Sequence, residues 1–89
     1  MIYSVYFLRS QNDSKYYIGC TSRDPNQRLI EHNSGSVAST KYRRPFTLVW
    51  IEEFQNKKEA FNREWHLKHP KGYIDKIGII KKIEDGPVA

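Results

Sequence analysis

The sequence predicts a small α/β (α+β) domain in which a single layer of β-sheet is covered by a few helices. The chain has 89 residues, which is near the lower limit for folding without disulfides or metals. Three segments rich in aromatic and β-branched residues have the composition of strands, and three others have helix caps or helical spacing of apolar residues. We find no internal repeat and expect one domain over residues 1–83, followed by a frayed tail over residues 84–89.

The first two strands form a predicted hairpin. Residues 2–9 are largely apolar on both faces, so we expect this strand to be covered on both sides. The chain turns within a polar cluster and returns over residues 15–20. A turn centred near residues 11–12 would place Tyr6 and Tyr17 opposite each other.

The first helix is predicted between two capping residues. Asp24 is a good N-cap, and Pro25 suits the first helical position. Gly35 can end the helix in the left-handed conformation. Arg28 and His32 are four residues apart, so they project from one face of this helix.

Residues 34–45 form a predicted loop rich in Ser, Thr, Lys and Arg. Its end combines cations with an aromatic ring: Lys41, Tyr42, Arg43 and Arg44. Such a combination can grip phosphates and stack on a base, which makes these four residues candidates for nucleic-acid binding. The alternative is a solvated loop whose aromatic ring packs on the core, and the short pattern favours neither interpretation.

The third strand is predicted over residues 46–54, the most hydrophobic segment, and is expected to be central in the sheet. Asn56 is a good cap for a second helix, which runs to about His69 and is stopped by Pro70. Residues 71–83 are predicted to form an amphipathic helix, because their apolar residues recur at helical spacing: Tyr73, Ile74, Ile77, Ile80 and Ile83.

Glu64 is the unusual residue of the second helix, because it falls within an apolar stripe made by Ala60, Phe61 and Trp65. Burying an unpaired carboxylate costs several kcal/mol or raises its pKa. A buried Glu64 therefore needs a cation or a set of hydrogen-bond donors. The alternative is a helical salt bridge to Lys68, four residues on, and spacing alone favours this alternative.

Charge and cysteine content indicate the kind of partner and the cellular compartment that suit this chain. The net charge of +5 and the sequence pI of about 9.4 favour partners that carry phosphates, although lysines also keep a surface solvated. Cys20 is the sole cysteine, so we expect no internal disulfide and a cytoplasmic, reducing environment. No apolar run is long enough for a membrane span. His66 and His69 raise a zinc alternative, but structural zinc needs four Cys or His ligands.

A set of short motifs in this order resembles the GIY-YIG nuclease family: Ser4-Val5-Tyr6, Tyr17-Ile18-Gly19, Arg28 and Glu64. The chain looks most like the small bacterial single-domain members, through two passages: residues 28–35, and residues 52–54 with Ala60, Arg63 and Glu64. Trp65 with His69-Pro70 is also similar to the structure-specific junction endonucleases. The N-terminal nuclease domain of the bacterial excision-repair endonuclease is a further similar member of this family. Ser4 stands where the family commonly has Gly.

The resemblance implies a three-stranded antiparallel sheet surrounded by helices, and an endonuclease that hydrolyses phosphodiester bonds. It implies that Glu64 holds one Mg²⁺ or Mn²⁺ ion and that Arg28 clamps the scissile phosphate. Tyr17 would take a proton from the attacking water, with Tyr6 hydrogen-bonded nearby, and His32 would contact the phosphate or relay a proton. The alternatives are that Tyr6 and Tyr17 are ordinary sheet aromatics, that Arg28 is a surface charge, and that His32 closes the helix.

We therefore expect a metal-dependent endonuclease that acts on DNA, selective for structure and related to repair, with RNA as an open alternative. A domain this small has little surface for reading sequence unless it dimerises, and we expect a monomer or a weak homodimer. Lys68 is a further candidate for contact with backbone phosphate. The rival functions are a nucleic-acid-binding module with negligible turnover, and an adaptor that docks through Trp50 or Trp65.

Overall fold

The structure is a computed structural model that describes residues 1–86. Its elements, in chain order, are β1 (Tyr3–Ser10), β2 (Tyr16–Thr21), α1 (Pro25–Ser34), β3 (Phe46–Phe54), α2 (Lys57–Lys68) and α3 (Tyr73–Asp85). Two 3-10 turns, Lys41–Arg43 and Pro70–Gly72, precede β3 and α3. The predicted three-stranded antiparallel sheet flanked by helices is confirmed. None of the helices within residues 1–86 has the length and apolar character needed to cross a membrane.

The strand order in the sheet is β2-β1-β3, so β1 is the central strand. The prediction that the third strand is central is wrong, because β1 pairs on both edges whereas β3 pairs on one. Of the nine residues of β3, Phe46 alone is fully buried, and Ile51 is exposed. The hydrophobicity of β3 therefore reflects partial burial of many side chains at the edge of the sheet.

The sheet is covered on both faces, as the apolar pattern of the first strand predicts. Val5 and Phe7 point into an apolar core with residues of β2, α2 and α3: Ile18, Ala60, Leu67 and Ile79. Tyr6 and Leu8 point to the opposite face, where they pack with Phe46, and Leu29 of α1 packs against them. Alternate residues of one strand thus serve two separate cores.

The centre of the hairpin turn lies one residue later in the chain than predicted, which changes the pairing of the two strands. Tyr6 pairs with Gly19, and Tyr17 pairs with Leu8, so the two tyrosines are not directly opposite. They are diagonal neighbours with ring centroids 6.4 Å apart. Moving the centre of the turn by one residue shifts the partner by two, which keeps both rings on the same face of the sheet.

The predicted caps of the first two long helices are confirmed. Asp24 accepts a hydrogen bond from the backbone N–H of Asn26 at the start of α1. Gly35 ends that helix with φ 84°. Asn56 accepts from two backbone N–H groups at the start of α2, at 2.8 and 3.3 Å. These contacts satisfy donors that have no partner within the helix.

The buried stripe of α2 is narrower than predicted. Ala60 and Leu67 are buried, but Phe61 and Trp65 are 48% and 52% exposed. The sheet covers α2 along the line of Ala60 and Leu67, and the two large rings, four residues apart, lie together to one side of this line. Trp50 is half-buried against the apolar core, which leaves Trp65 as the more accessible tryptophan.

The last helix buries a different set of residues from the predicted stripe. Ile79 is buried and Ile80 and Ile83 pack against the core, whereas Tyr73 and Ile74 face solvent. The helix runs to Asp85 rather than ending at residue 83. The Tyr16 hydroxyl donates to Glu84 at 2.9 Å and ties this last turn to β2. Residues 87–89 of the expected tail lie outside the described residues.

Candidate active site

Tyr6 lies in the middle of β1, with its ring across Gly19 of the neighbouring strand. A Cβ atom on Gly19 would stand 2.5 Å from both Cζ and the hydroxyl oxygen of Tyr6, so the ring needs a glycine at this position. The Tyr6 hydroxyl lies beside the Arg28 guanidinium and 3.4 Å from Nε2 of His32. Burial raises the pKa of Tyr6 above its ordinary value, and Arg28 only partly opposes this.

His32 lies on the inner face of α1, is fully buried and uses both ring nitrogens. Its Nδ1 lies 2.8 Å from Oγ1 of Thr40, and that hydroxyl donates to the carbonyl of Val37 at 3.4 Å. In this arrangement Nδ1 carries the proton and donates to Thr40, which leaves Nε2 as an acceptor toward Tyr6. Burial, assisted by the charge of Arg28, holds the pKa of His32 below its ordinary value. The ring is therefore neutral at pH 7.

Tyr17 covers this buried pair from the solvent side. Its ring centroid is 4.7 Å from that of His32 and 6.4 Å from that of Tyr6. Tyr17 is half-buried, whereas Tyr6 and His32 have almost no exposed surface. Tyr17 is thus the member of the cluster that water can reach.

Arg28 presents a guanidinium that is partly open to solvent. It forms an ion pair with Glu31, which is also bound by Arg23 through two contacts of 2.8 and 3.0 Å. Its side chain is a quarter exposed, and it lines an open pocket of about 400 Å³ together with Cys20 and other residues. A planar guanidinium held at a pocket wall suits a phosphate, which it can bind through two parallel hydrogen bonds.

Glu64 has the ion pair that helical spacing predicts. Its carboxylate lies 2.9 Å from Nζ of Lys68, and its side chain is 20% exposed. Tyr6, Tyr17 and His32 form a group of neighbouring rings that we call the tyrosine cluster. The Glu64 carboxylate acts on this cluster, because its charge contributes to the raised pKa of Tyr6. Lys68 extends to the same cluster, with Nζ 5.8 Å from the centroid of the Tyr17 ring. Glu64 and Lys68 therefore border the site from α2.

The donor set around Glu64 fits a hard divalent cation better than zinc. Within residues 1–86 no group of three or more His, Cys, Asp or Glu side chains could hold a metal ion. Mg²⁺ and Mn²⁺ suit a single carboxylate, because water and substrate phosphate oxygens complete their coordination. The two histidines of the zinc alternative have other contacts: His66 lies 2.7 Å from Asp75, and His69 stacks on Trp65.

In the basic loop, residues 41–44, Arg43 is held by contacts within the fold, whereas the ring of Tyr42 is exposed. Arg43 binds Asp13 at 2.8 Å and lowers the pKa of that carboxyl to about 2. The Arg44 side chain donates to the carbonyl of Lys41 at 2.7 Å. Tyr42 is 83% exposed, so the alternative in which this ring packs on the core is wrong. The loop is anchored to the β1–β2 turn and is not in contact with the tyrosine cluster through these bonds.

Two site residues come from the structure and not from the sequence. Thr40 lies in a polar loop where no pattern distinguishes it from the neighbouring Ser and Thr residues, and packing alone brings its hydroxyl to His32. Glu31 orients Arg28, and its position three residues after Arg28 on a helix is a signal that could have identified it.

The fold and this cluster define a member of a nuclease family. Residues 2–75 match the GIY-YIG catalytic domain, and the chain belongs to the GIY-YIG family. The resemblance found in the sequence is thereby confirmed, and membership implies a nucleic-acid substrate.

Its relatives are small proteins of similar length. A UPF0213 protein of Staphylococcus epidermidis is 43% identical over 65 residues, which are 72% of this chain and 77% of that protein. The UPF0213 protein YsiG of Lactococcus lactis is 39% identical over 80 residues, covering 89% of this chain and 75% of YsiG. The solution NMR structure of a UPF0213 protein from Bacillus halodurans is similar with a TM-score of 0.56 and 32% identity, over 92% of this chain and 86% of that one.

Proposed function

We propose that the protein is a metal-dependent endonuclease that hydrolyses phosphodiester bonds of DNA, selects its substrate by structure and acts in repair in the cytoplasm. The observation that carries this proposal is the buried pair of Tyr6 and His32, with the partly exposed Arg28 beside it and the accessible ring of Tyr17 above it. Tyr6, Arg28 and His32 contact one another next to the one ring of the group that water reaches. A cation beside groups that can pass a proton is the arrangement that phosphodiester hydrolysis requires.

Arg28 binds the scissile phosphate in this proposal. Its guanidinium is held from one side by Glu31 and from the other by the Tyr6 hydroxyl, so its plane is fixed before substrate arrives. A preorganised cation stabilises the charge that develops on the phosphate oxygens in the transition state. Tyr6 thus positions Arg28.

Tyr17 accepts the proton of the attacking water. Its hydroxyl gives up its own proton in the same step, and that proton passes by way of the Tyr6 hydroxyl to Nε2 of His32. His32 is neutral and its Nε2 is an acceptor, which suits a relay through Tyr6 better than direct contact with the phosphate, because His32 is fully buried.

Glu64 is the residue that would hold the divalent ion. The ion, when bound, supplies positive charge to the phosphate oxygens and favours ionisation of water. Without such an ion, the ammonium group of Lys68 neutralises the Glu64 carboxylate. When the carboxylate binds the ion instead, Lys68 can contact the nucleic-acid backbone. We propose that the protein acts as a monomer or a weak homodimer. So small a domain has little surface for reading sequence unless it dimerises, which favours selection by structure.

Cleavage of labelled substrates tests the proposal. Duplex, single-stranded, flap and four-way-junction DNA, with matching RNA, would be incubated with Mg²⁺ or Mn²⁺ and with wild type, Glu64→Gln or Tyr17→Phe. Each variant loses at least about 10²-fold in rate, in the range known for general acid–base groups, while affinity changes little. Glu59→Gln, an exposed carboxylate on the same helix, and Tyr3→Phe, on the same sheet, are the matched controls.

A second function is favoured by the Lys68–Glu64 ion pair, which neutralises the proposed metal ligand within the fold. In that case the protein binds nucleic acid without cutting it. Wild type that binds every substrate and cuts none with either ion would overturn the nuclease proposal and favour the binding module. Cleavage that persists in Glu64→Gln would remove Glu64 from the mechanism.

A further inference from the structure

A second recess lies where α2 meets α3, next to the tyrosine cluster. Its volume is about 440 Å³. Its lining combines cations with an aromatic ring: Lys68, His69, Pro70, Tyr73 and Lys76. We call this recess the α2–α3 groove. With the exception of Lys68, none of these residues has a part in the proposed chemistry.

The ring of Tyr73 is largely exposed on the surface of the groove. It is 58% exposed, at the first position of α3, so it contributes little to the core. Nζ of Lys76 lies 5.8 Å from the centroid of this ring. An accessible aromatic face beside an ammonium group is the arrangement on which an unpaired base stacks while its phosphate is neutralised.

The charges of the groove suit a nucleic-acid backbone. Among the ion pairs formed within residues 1–86, Lys68 pairs with Glu64, and none involves Lys76. The nearby carboxylate of Asp75 is bound to His66 at 2.7 Å. Lys76 therefore presents a positive charge that no ion pair within residues 1–86 cancels, and an anionic ligand gains from it.

Lys68 connects the groove to the candidate active site. Its ammonium group is 2.9 Å from the Glu64 carboxylate and 5.8 Å from the centre of the Tyr17 ring, and the same side chain lines the groove. Lys68 thus reaches both the groove and the part of the candidate site formed by Glu64 and Tyr17.

We infer that the α2–α3 groove binds unpaired nucleotides of the strand that is cut, with a base stacked on Tyr73 and phosphates bound by Lys68 and Lys76. Its place beside the scissile bond rests on the proposed nuclease function. A base in a duplex is stacked within the helix and cannot reach Tyr73. The groove therefore selects substrates that have a single-stranded segment next to the cleavage site.

Fluorescence anisotropy with a short labelled oligonucleotide tests this inference, with chelator present so that the probe stays intact. The same sequence is used single-stranded and as a blunt duplex. Tyr73→Ala weakens single-strand binding by about 5- to 150-fold, the equivalent of the 1–3 kcal/mol of one base–aromatic stack, and leaves duplex binding nearly unchanged. Tyr73→Phe keeps the ring and binds like wild type.

Two more variants separate stacking from charge. Lys76→Gln weakens single-strand and duplex binding alike and lowers the salt dependence of single-strand binding by about 0.7 in log–log slope. Ile74→Ala removes a neighbouring exposed side chain on the same helix and changes neither single-strand binding nor duplex binding. Melting curves of all variants check that each is folded.

The outcomes distinguish this inference from the nuclease proposal. Tyr73→Ala that binds single strands as well as wild type, or that loses duplex binding equally, overturns the groove inference even if the enzyme cuts DNA. Selective loss of single-strand binding in a protein that cuts no substrate supports the groove and overturns the nuclease proposal alone.

Discussion

The two faces of the sheet are built from alternate residues of one strand, and they differ in what they bury. On the α2–α3 face, Val5 and Phe7 meet apolar side chains, so burial of apolar surface stabilises that side. On the α1 face, Tyr6 meets His32, and the hydroxyl of Thr40 is buried with them. A single strand therefore supplies a plain core to one side and a polar cluster to the other.

The polar face is stable because its groups satisfy one another. Within residues 1–86, no buried side-chain nitrogen or oxygen lacks a hydrogen-bond partner. Asn33 donates to the carbonyl of Phe46 and accepts from its N–H, at 3.0 and 2.7 Å, which docks α1 on β3. Satisfied groups avoid the desolvation cost of burial, but they add little net stability. Substitutions on the two faces should therefore have separable effects on stability and on activity.

The largest effect on stability is expected on the apolar face. Leu67→Ala removes a fully buried side chain between α2 and the sheet and lowers the free energy of unfolding by about 2–5 kcal/mol. Urea unfolding monitored by circular dichroism measures it. Ile74→Ala, at a site 83% exposed, stays within about 0.5 kcal/mol of wild type. A cost for Leu67→Ala as small as that of the control would contradict the assignment of stability to this face.

On the polar face, Gly19→Ala is expected to harm activity more than stability. The new Cβ would overlap the end of the Tyr6 ring, which is buried and cannot move aside without displacing its neighbours. Overpacking costs about 1–3 kcal/mol, and a displaced catalytic group costs about 10²-fold in rate. Cleavage rates and the NMR signals of the Tyr6 and His32 rings measure the two effects.

Gly78→Ala is the matched control for that substitution. A Cβ at Gly78 meets no atom within 4 Å, and alanine is the better helix former, so this variant gains about 0.5–1 kcal/mol. Unshifted ring signals in Gly19→Ala, together with full activity, would show that the close approach of Tyr6 to β2 has no functional role.

The parts of the fold that could be predicted are those decided by neighbouring residues. Asp24, Gly35 and Asn56 act within three residues of themselves, so their identity is enough to place the helix ends. The two-sided burial of the first strand likewise follows from its own alternation. Which strand is central does not follow, because hydrophobicity reports burial and not the number of paired edges.

The same limit applies to the candidate site. The family motif names Tyr6, Tyr17, Arg28 and His32, and the structure brings these four together; their catalytic roles remain predictions. Thr40 could not be predicted, because its contact with His32 depends on how a loop packs. The exposure of Phe61 and Trp65 is also a tertiary property, since helical spacing does not say how much of an apolar stripe the sheet covers.

The smallest expected effect is the pH dependence that His32 gives to the polar face. Burial and Arg28 lower the pKa of His32, Glu31 raises it, and the rings of Tyr6 and Tyr17 also face the imidazole. The unfolded chain therefore binds the proton first as the pH falls. His32 contributes its full stability above about pH 6.5, and the contribution declines below that value until the folded pKa is passed.

An NMR titration of the His32 ring, with urea unfolding at pH 7.5 and 5.5, measures this dependence. The midpoint for His32 lies below the ordinary histidine value, and stability is lower at the acidic pH. In Arg28→Gln the midpoint moves upward, because one of the two causes of the shift is removed, but burial keeps it below that value. A wild-type midpoint well above about 6.5 would mean that the imidazole is charged near neutral pH. His32 could not then serve as the acceptor of the polar face, and the contrast between the two faces would be one of packing alone.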